Sequence, residues 1–145
     1  MRRFLLARFL LARFLLAPFL LALAALVAFP DTARADPRAV IEAQIEAFQE
    51  DDFVSAFDYA SDNIRRAFGT PERFGRMVRQ GYPMVHRPAN LRFLDLVEHG
   101  GQTLQRLMIA DQAQRLHLLE YEMIETDAGW RINGVRILRG SGTGA

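Results

Sequence analysis

The sequence predicts an α+β domain in which N-terminal helices pack on a curved, four-stranded antiparallel sheet. Three observations predict it. Between residues 36 and 89 the apolar residues recur at helical spacing, each run opening on Asp, Ser or Thr. Beyond residue 90 they alternate as in strands. The turns between those strands are short, Gly100-Gly101, "DQAQ" and Asp127-Ala128-Gly129, which makes neighbours antiparallel. Helices first and strands afterwards place the helices on one side of the sheet.

Residues 1–35 read as a signal peptide. "RFLLARFLLARFLLAPFLLA", residues 3–22, is a five-residue unit written four times, with Pro18 in place of the fourth Arg. A five-residue step turns a helix by about 500°, so Arg3, Arg8 and Arg13 spiral around the axis and leave no amphipathic stripe. An uncharged run follows over residues 14–29, and Ala33-Arg34-Ala35 supplies the small-x-small exit for cleavage before Asp36. The uncharged run of 16 residues carries a proline and is shorter than the ~20 a membrane span prefers. Cleavage makes the product periplasmic or secreted; a retained leader would anchor it to the inner membrane.

Asp36-Pro37 then starts a helix to about Glu50, with Val40, Ile41, Ile45, Ala47 and Phe48 on one face and Gln44 in the middle of that face. Asp51 or Asp52 caps a second helix whose Phe53, Ala56, Phe57 and Ala60 share a side. Ser61 caps "DNIRRAF", closed by Gly69, and Thr70-Pro71 opens a helix to Gly81 with Phe74, Met77 and Val78 inward. "YPMVHRP" is expected to be extended because of its two prolines. The strands are read as "LRFLDLVEH", "QTLQRLMIAD", "RLHLLEYEMIET" and "WRINGVRIL", and the Gly-rich residues 140–145 as a loose tail after a domain of residues 36–139.

Composition removes whole classes of chemistry. Of 145 residues, the 110 after the leader suffice for one core, burying roughly 65% of the unfolded surface. There is no Cys, so thiol catalysis, disulfides and Cys-ligated zinc are excluded. Every cation is Arg, which excludes Schiff-base lysines and the P-loop lysine. The 13 Arg and 16 acids beyond residue 35 argue against nucleic acid as partner. Charge is uneven: residues 36–60 hold one Arg and seven acids, residues 61–92 seven Arg and two acids.

Three runs, "IEAFQEDDFVSAFDYAS", "FGTPERFGRMVRQGYPMVHRP" and "GWRINGVRIL", resemble the bacterial family known as domain of unknown function 4864. The resemblance implies a cystatin-like or nuclear-transport-factor-like cone of helices over a bent sheet. It implies no activity and no catalytic residues, because that fold hosts isomerases, dehydratases and binding modules alike.

Candidate chemistry is sparse. Ser55, Ser61 and Ser141 lie in no nucleophile elbow, and Ser61 reads as a helix cap. His86, His99 and His117 form no ligand pair, so no metal and no cofactor is expected. An acid–base pocket would draw on Gln44, Tyr59, His86, His117 and Tyr121, the last two sharing the odd-numbered face of the third strand. Asp58 lies away from its helix's apolar side and reads as solvated, and Trp130 reads as a core or rim anchor. Arg65, Arg66, Arg73, Arg76, Arg79 and Arg87, with Tyr82 in the extended segment, offer a positive face for an acidic protein, a lipid headgroup or a cell-wall polymer. The acids Glu42, Glu46 and Glu50 of the first helix could neutralise part of it. The leading expectation is an exported, non-catalytic binding or accessory module, possible as a homodimer, acting through that arginine face. The alternative is a small-ligand carrier or acid–base pocket enzyme. A filled core favours the first, an enclosed cavity of at least roughly 300 Å³ with convergent polar groups the second.

Overall fold

The computed structural model describes residues 36–138. The leader, Ser141 and the Gly-rich tail lie outside the described residues. Five helices precede four strands: α1 (Pro37–Gln49), α2 (Phe53–Asp58), α3 (Asp62–Phe68), α4 (Pro71–Gly81), α5 (Pro83–His86), β1 (Asn90–His99), β2 (Gln102–Ala110), β3 (Leu116–Thr126) and β4 (Gly129–Leu138).

Each of the first four helices starts where a side chain satisfies a free backbone N–H. Asp36 accepts from the Arg38 amide at 2.8 Å, Asp52 from Ser55 at 3.0 Å, Ser61 from Ile64 at 3.3 Å and Thr70 from Arg73 at 3.3 Å. Gly69, at φ 77°, ends α3 in the left-handed region where a side chain is strained. The chain turns from α1 into α2 at Asp51, φ 57°, a conformation Asp tolerates better than most residues.

The segment expected to be extended is instead helical. Pro83 occupies the first position of α5, where its missing N–H has no intrahelical partner in any case. The amides of Val85 and His86 both donate to the Tyr82 carbonyl, at 2.9 and 3.2 Å, and Met84 and Val85 are buried. Only Pro88 acts as a stop, holding Arg87 at φ −136°, ψ 71°.

The sheet is an antiparallel meander in the order β1-β2-β3-β4. Leu107 pairs with Leu119 and Leu119 with Ile137; Gln105 pairs with Tyr121 and Tyr121 with Val135. Its register is irregular between Phe93 and Leu96 and at Glu122–Met123, the kind of place where a bulge bends a strand. Leu107, Ile109, Leu119, Tyr121, Met123 and Ile132 face the helices and form one core with Ile41, Ile45 and Phe48 of α1. The outer edge of β4 is covered at Ile132, where the Ser61 amide donates to the Ile132 carbonyl at 2.8 Å and the Ile132 amide donates to the Tyr59 carbonyl at 2.9 Å. Among the described residues no helix is long and apolar enough to cross a membrane.

Candidate functional site

The helix layer is unevenly filled. Where α1, α2 and α4 cross, aromatic rings close the interior, Phe48 lying 6.0 Å from Phe53 and Phe57 5.2 Å from Phe74 between centroids. Gly75 lets α4 come so near that a Cβ there would sit 2.6 Å from the Phe53 ring. Toward β4 the layer is not filled. A half-open cavity of about 250 Å³ remains between α1, α3, α4 and the inner face of β3 and β4. That is just under the size expected of a ligand pocket.

Three polar side chains reach this cavity: Gln44 from α1, Tyr82 from the α4–α5 junction and Tyr121 from β3. Gln44, 3% exposed, donates its amide to the Ala56 carbonyl at 3.0 Å, so a backbone group satisfies it as its buried position requires. Tyr82 donates to the Val135 carbonyl at 3.0 Å. Tyr121 is fully buried, yet its hydroxyl has no hydrogen-bond partner among the described residues. Burial, with Tyr82 beside it, pushes the Tyr121 phenol well above the ordinary tyrosine range, which keeps it protonated and a donor at neutral pH. The remaining lining is apolar, with Ile64, Phe68, Met77 and Val135 half-buried around it, and it carries no charged side chain.

The two histidines proposed to share a pocket lie elsewhere. His86 sets its Nε2 2.7 Å from Asp51 Oδ1 and packs its ring on Phe53. His117 sits at the start of β3 with Nε2 2.9 Å from Asp111 Oδ2, so the strand face it shares with Tyr121 carries it past the cavity. Asp111 also accepts from the amides of Ala113 and Arg115 and from Arg115 Nε, and the hydrogen bond from His117 first of all holds its carboxyl well below the usual range. His99 is exposed at the end of β1. Tyr59 and Trp130 are half-buried and pack against the core. Among the described residues no group of three or more His, Asp or Glu gathers.

The arginines divide. Arg65 meets Asp62 at 2.5 Å and Asp58 at 3.9 Å, and Arg66 donates to Asn63 at 2.7 Å. Arg79 lies 4.3 Å over the Phe53 ring. Arg87 donates to the Phe48 carbonyl at 2.8 Å and meets Asp51 at 2.9 Å. Arg73 and Arg76 project from α4 with no ion pair among the described residues. The partners of this cluster are thus Asp51, Asp58 and Asp62, not Glu42, Glu46 or Glu50, because the α1–α2 turn and the start of α3 place those aspartates nearer.

Sequence reasoning missed two buried polar residues of the sheet, Gln105 and Glu120, 0% and 2% exposed. Gln105 accepts from Arg38 Nε at 3.2 Å and donates to the Leu94 carbonyl at 3.2 Å, holding the irregular stretch of β1. Glu120 lies between Arg106 and Arg136.

The solution structure of a SEC-C motif containing protein from Rhodopseudomonas palustris is similar, at a TM-score of 0.53 and 13% identity, covering 73% of this chain and 81% of that one. At that identity the likeness concerns the fold alone, and it agrees with helices packed on a four-stranded antiparallel sheet. A search of the curated proteins finds no match. The family model described as domain of unknown function 4864 matches residues 30–145. With the match spanning the whole described domain, the chain belongs to the family of domain of unknown function 4864.

Proposed function

We propose that this protein is a non-catalytic carrier of a small, uncharged, largely apolar molecule that brings one hydrogen-bond acceptor, such as a carbonyl oxygen, to Tyr121. One observation carries the reading: Tyr121, whose buried phenol hydroxyl has no partner among the described residues, is one of the residues lining an apolar, half-open cavity. Leaving such a group unpaired costs about 1–3 kcal/mol. A ligand acceptor would remove that cost, while the rest of the lining rewards apolar surface. The cystatin-like or nuclear-transport-factor-like cone fits a pocket on the concave side of a bent sheet. Acid–base catalysis is disfavoured because no His, Asp or Glu lines the cavity and Tyr121 holds its proton. The leader reading places the carrier outside the cytoplasm.

A second reading keeps the arginine side as an anion-binding surface. It is favoured by Arg73 and Arg76, which are exposed and hold no ion pair among the described residues.

The test has two parts. Native mass spectrometry of protein purified gently from its host should show a small-molecule adduct. Titration should show a phenyl alkyl ketone binding about two- to tenfold tighter than the hydrocarbon of the same skeleton, the worth of one neutral hydrogen bond. Equal binding of the two, or none by either with a bare chain in the spectrum, overturns the reading.

A further inference from the structure

The outer face of the sheet carries a row of charges running across all four strands. Leu107 and Leu119 point into the core, so their neighbours Arg106 and Glu120, opposite one another in the register, point away from it. Arg136 stands opposite Glu120 on β4. Arg106 donates to Glu120 at 2.9 Å and meets Asp95 of β1 at 3.3 Å; Arg136 pairs with the other Glu120 oxygen. From one edge to the other the order is Asp95, Arg106, Glu120, Arg136, alternating negative and positive. The two ends are open, with side chains 58% and 68% exposed, while Glu120 in the middle is 2% exposed. Beside this row lie exposed Arg92 on β1 and, continuing from it, Met108, Leu118 and Leu138, half-buried on the same face.

We propose that this face docks on the same face of a second copy of the chain, about a two-fold axis parallel to the strands. Such an axis reverses the row: the open ends pair, Asp95 over the second copy's Arg136 at both sides, while Arg106 falls over a Glu120 that its own two arginines already cover. An axis along the row would set every charge over itself, which costs free energy. Lateral pairing within one chain explains why the signs alternate. Self-complementarity comes from the row having an even number of members and ending on opposite charges, and a second copy supplies the matching order without further design. The same axis lays Met108 over Leu118 and the Arg92 stem over Leu138. Four strands ~4.8 Å apart and ten residues of ~3.3 Å span at most about 600 Å² per face, so a pair would bury no more than roughly 1,200 Å² against the ~1,000 Å² a specific interface needs, and the charge order, not the area, carries the proposal. This surface lies on the opposite side of the sheet from the cavity, so the proposal stands apart from the carrier reading.

Sedimentation equilibrium tests it with Asp95→Arg and Arg136→Asp, each alone and mixed in equal amounts. The wild-type protein should be dimeric. Each variant alone should dimerise about tenfold more weakly or worse, because like charges now meet at both ends of the row. The mixture should recover a dimer, since position 95 of one chain again meets an opposite charge at position 136 of the other. Changes within a chain are the same mixed or unmixed, so recovery reports only the contact between chains. A wild type monomeric up to about 0.1 mM overturns the proposal, as does a wild-type dimer with no recovery on mixing. Should either variant fail to fold, Asp95→Cys and Arg136→Cys serve in the otherwise cysteine-free chain. Mixed and oxidised, they should link as a heterodimer, and absence of that link overturns the proposal.

Discussion

The aromatic corner and the cavity lie side by side in one helix layer and are built on opposite terms. At the corner, apolar volume is filled and polar groups are engaged. Phe53 is held between Phe48, Gly75, Arg79 and His86, and Asp51 accepts from both His86 and Arg87. At the cavity the side chains leave about 250 Å³ between them, and the Tyr121 hydroxyl has no partner among the described residues. Among the described residues Ala56 satisfies Gln44, and none satisfies Tyr121. The difference teaches that the first region is packed for stability, and on the carrier reading the second is the place left for a ligand.

The largest expected effect comes from removing volume on each side. Phe53→Ala at the corner should destabilise by about 3–5 kcal/mol, and Phe68→Ala beside the cavity by about half of that or less, because Phe68 is half-buried and borders space already empty. Gly75→Ala sharpens the point. It should destabilise by about 1–3 kcal/mol through overpacking against Phe53, yet cost nothing in the Phe53→Ala background, where the clashing ring is gone. Urea midpoints measure all four. Equal losses for the two phenylalanines would erase the contrast.

Next in size is a change of opposite sign. Tyr121→Phe deletes an unsatisfied hydroxyl and should stabilise the ligand-free protein by about 1–3 kcal/mol, while weakening the ketone's advantage over its hydrocarbon. Alkali gives an independent readout. The folded state holds the Tyr121 proton above the ordinary tyrosine pKa of about 10, so this stabilisation is complete below pH 10 and lost as pH rises beyond it. The wild type should lose about 1.4 kcal/mol per pH unit there, and Tyr121→Phe should lose less. With no Lys and no Cys in the chain, tyrosine is the side chain whose ordinary pKa falls in that window. A variant no more stable, with an unchanged alkaline limb, would mean that the hydroxyl is satisfied and the cavity is packing error, not a site.

The sequence showed more of the frame than of this contrast. Caps at Asp36, Asp52, Ser61 and Thr70 and turns at Gly100-Gly101 and Gly129 are local chemistry, and the elements follow them closely. Strand parity put Tyr121 on the same face as Leu119 and Met123, which is the inner face. α5 was misread because a proline opening a helix looks like one that breaks it. His117 was grouped with Tyr121 because parity says nothing of how far along a strand the helices reach. Glu120 was missed because its burial depends on which arginines stand opposite, and register is settled only when the strands pair. A void cannot be read from any one helix, since it is the gap left when several dock.

The smallest effect concerns acid, where the order of failure should reverse. Asp51 is held below the ordinary aspartate pKa first by the hydrogen bond from His86; burial opposes it, and Arg87 adds to the lowering. Its contribution is therefore present above about pH 4 and lost as pH falls below it. The corner should loosen in acid while the cavity wall on β3 does not, just as alkali acts on Tyr121 and spares the corner. Asp51→Asn is the clean probe. Asn tolerates the φ of 57° at this position, so the variant removes the titrating charge without straining the turn, which Ala would not. Amide-exchange protection at Phe53 and His86 should fall in the wild type as pH drops below the ordinary carboxylate pKa of about 4 and stay level in the variant. Protection at Leu119 and Tyr121 should track neither. If the corner and β3 lose protection together, the layer is one cooperative unit, and the empty space beside Tyr121 is not independent of the packed corner.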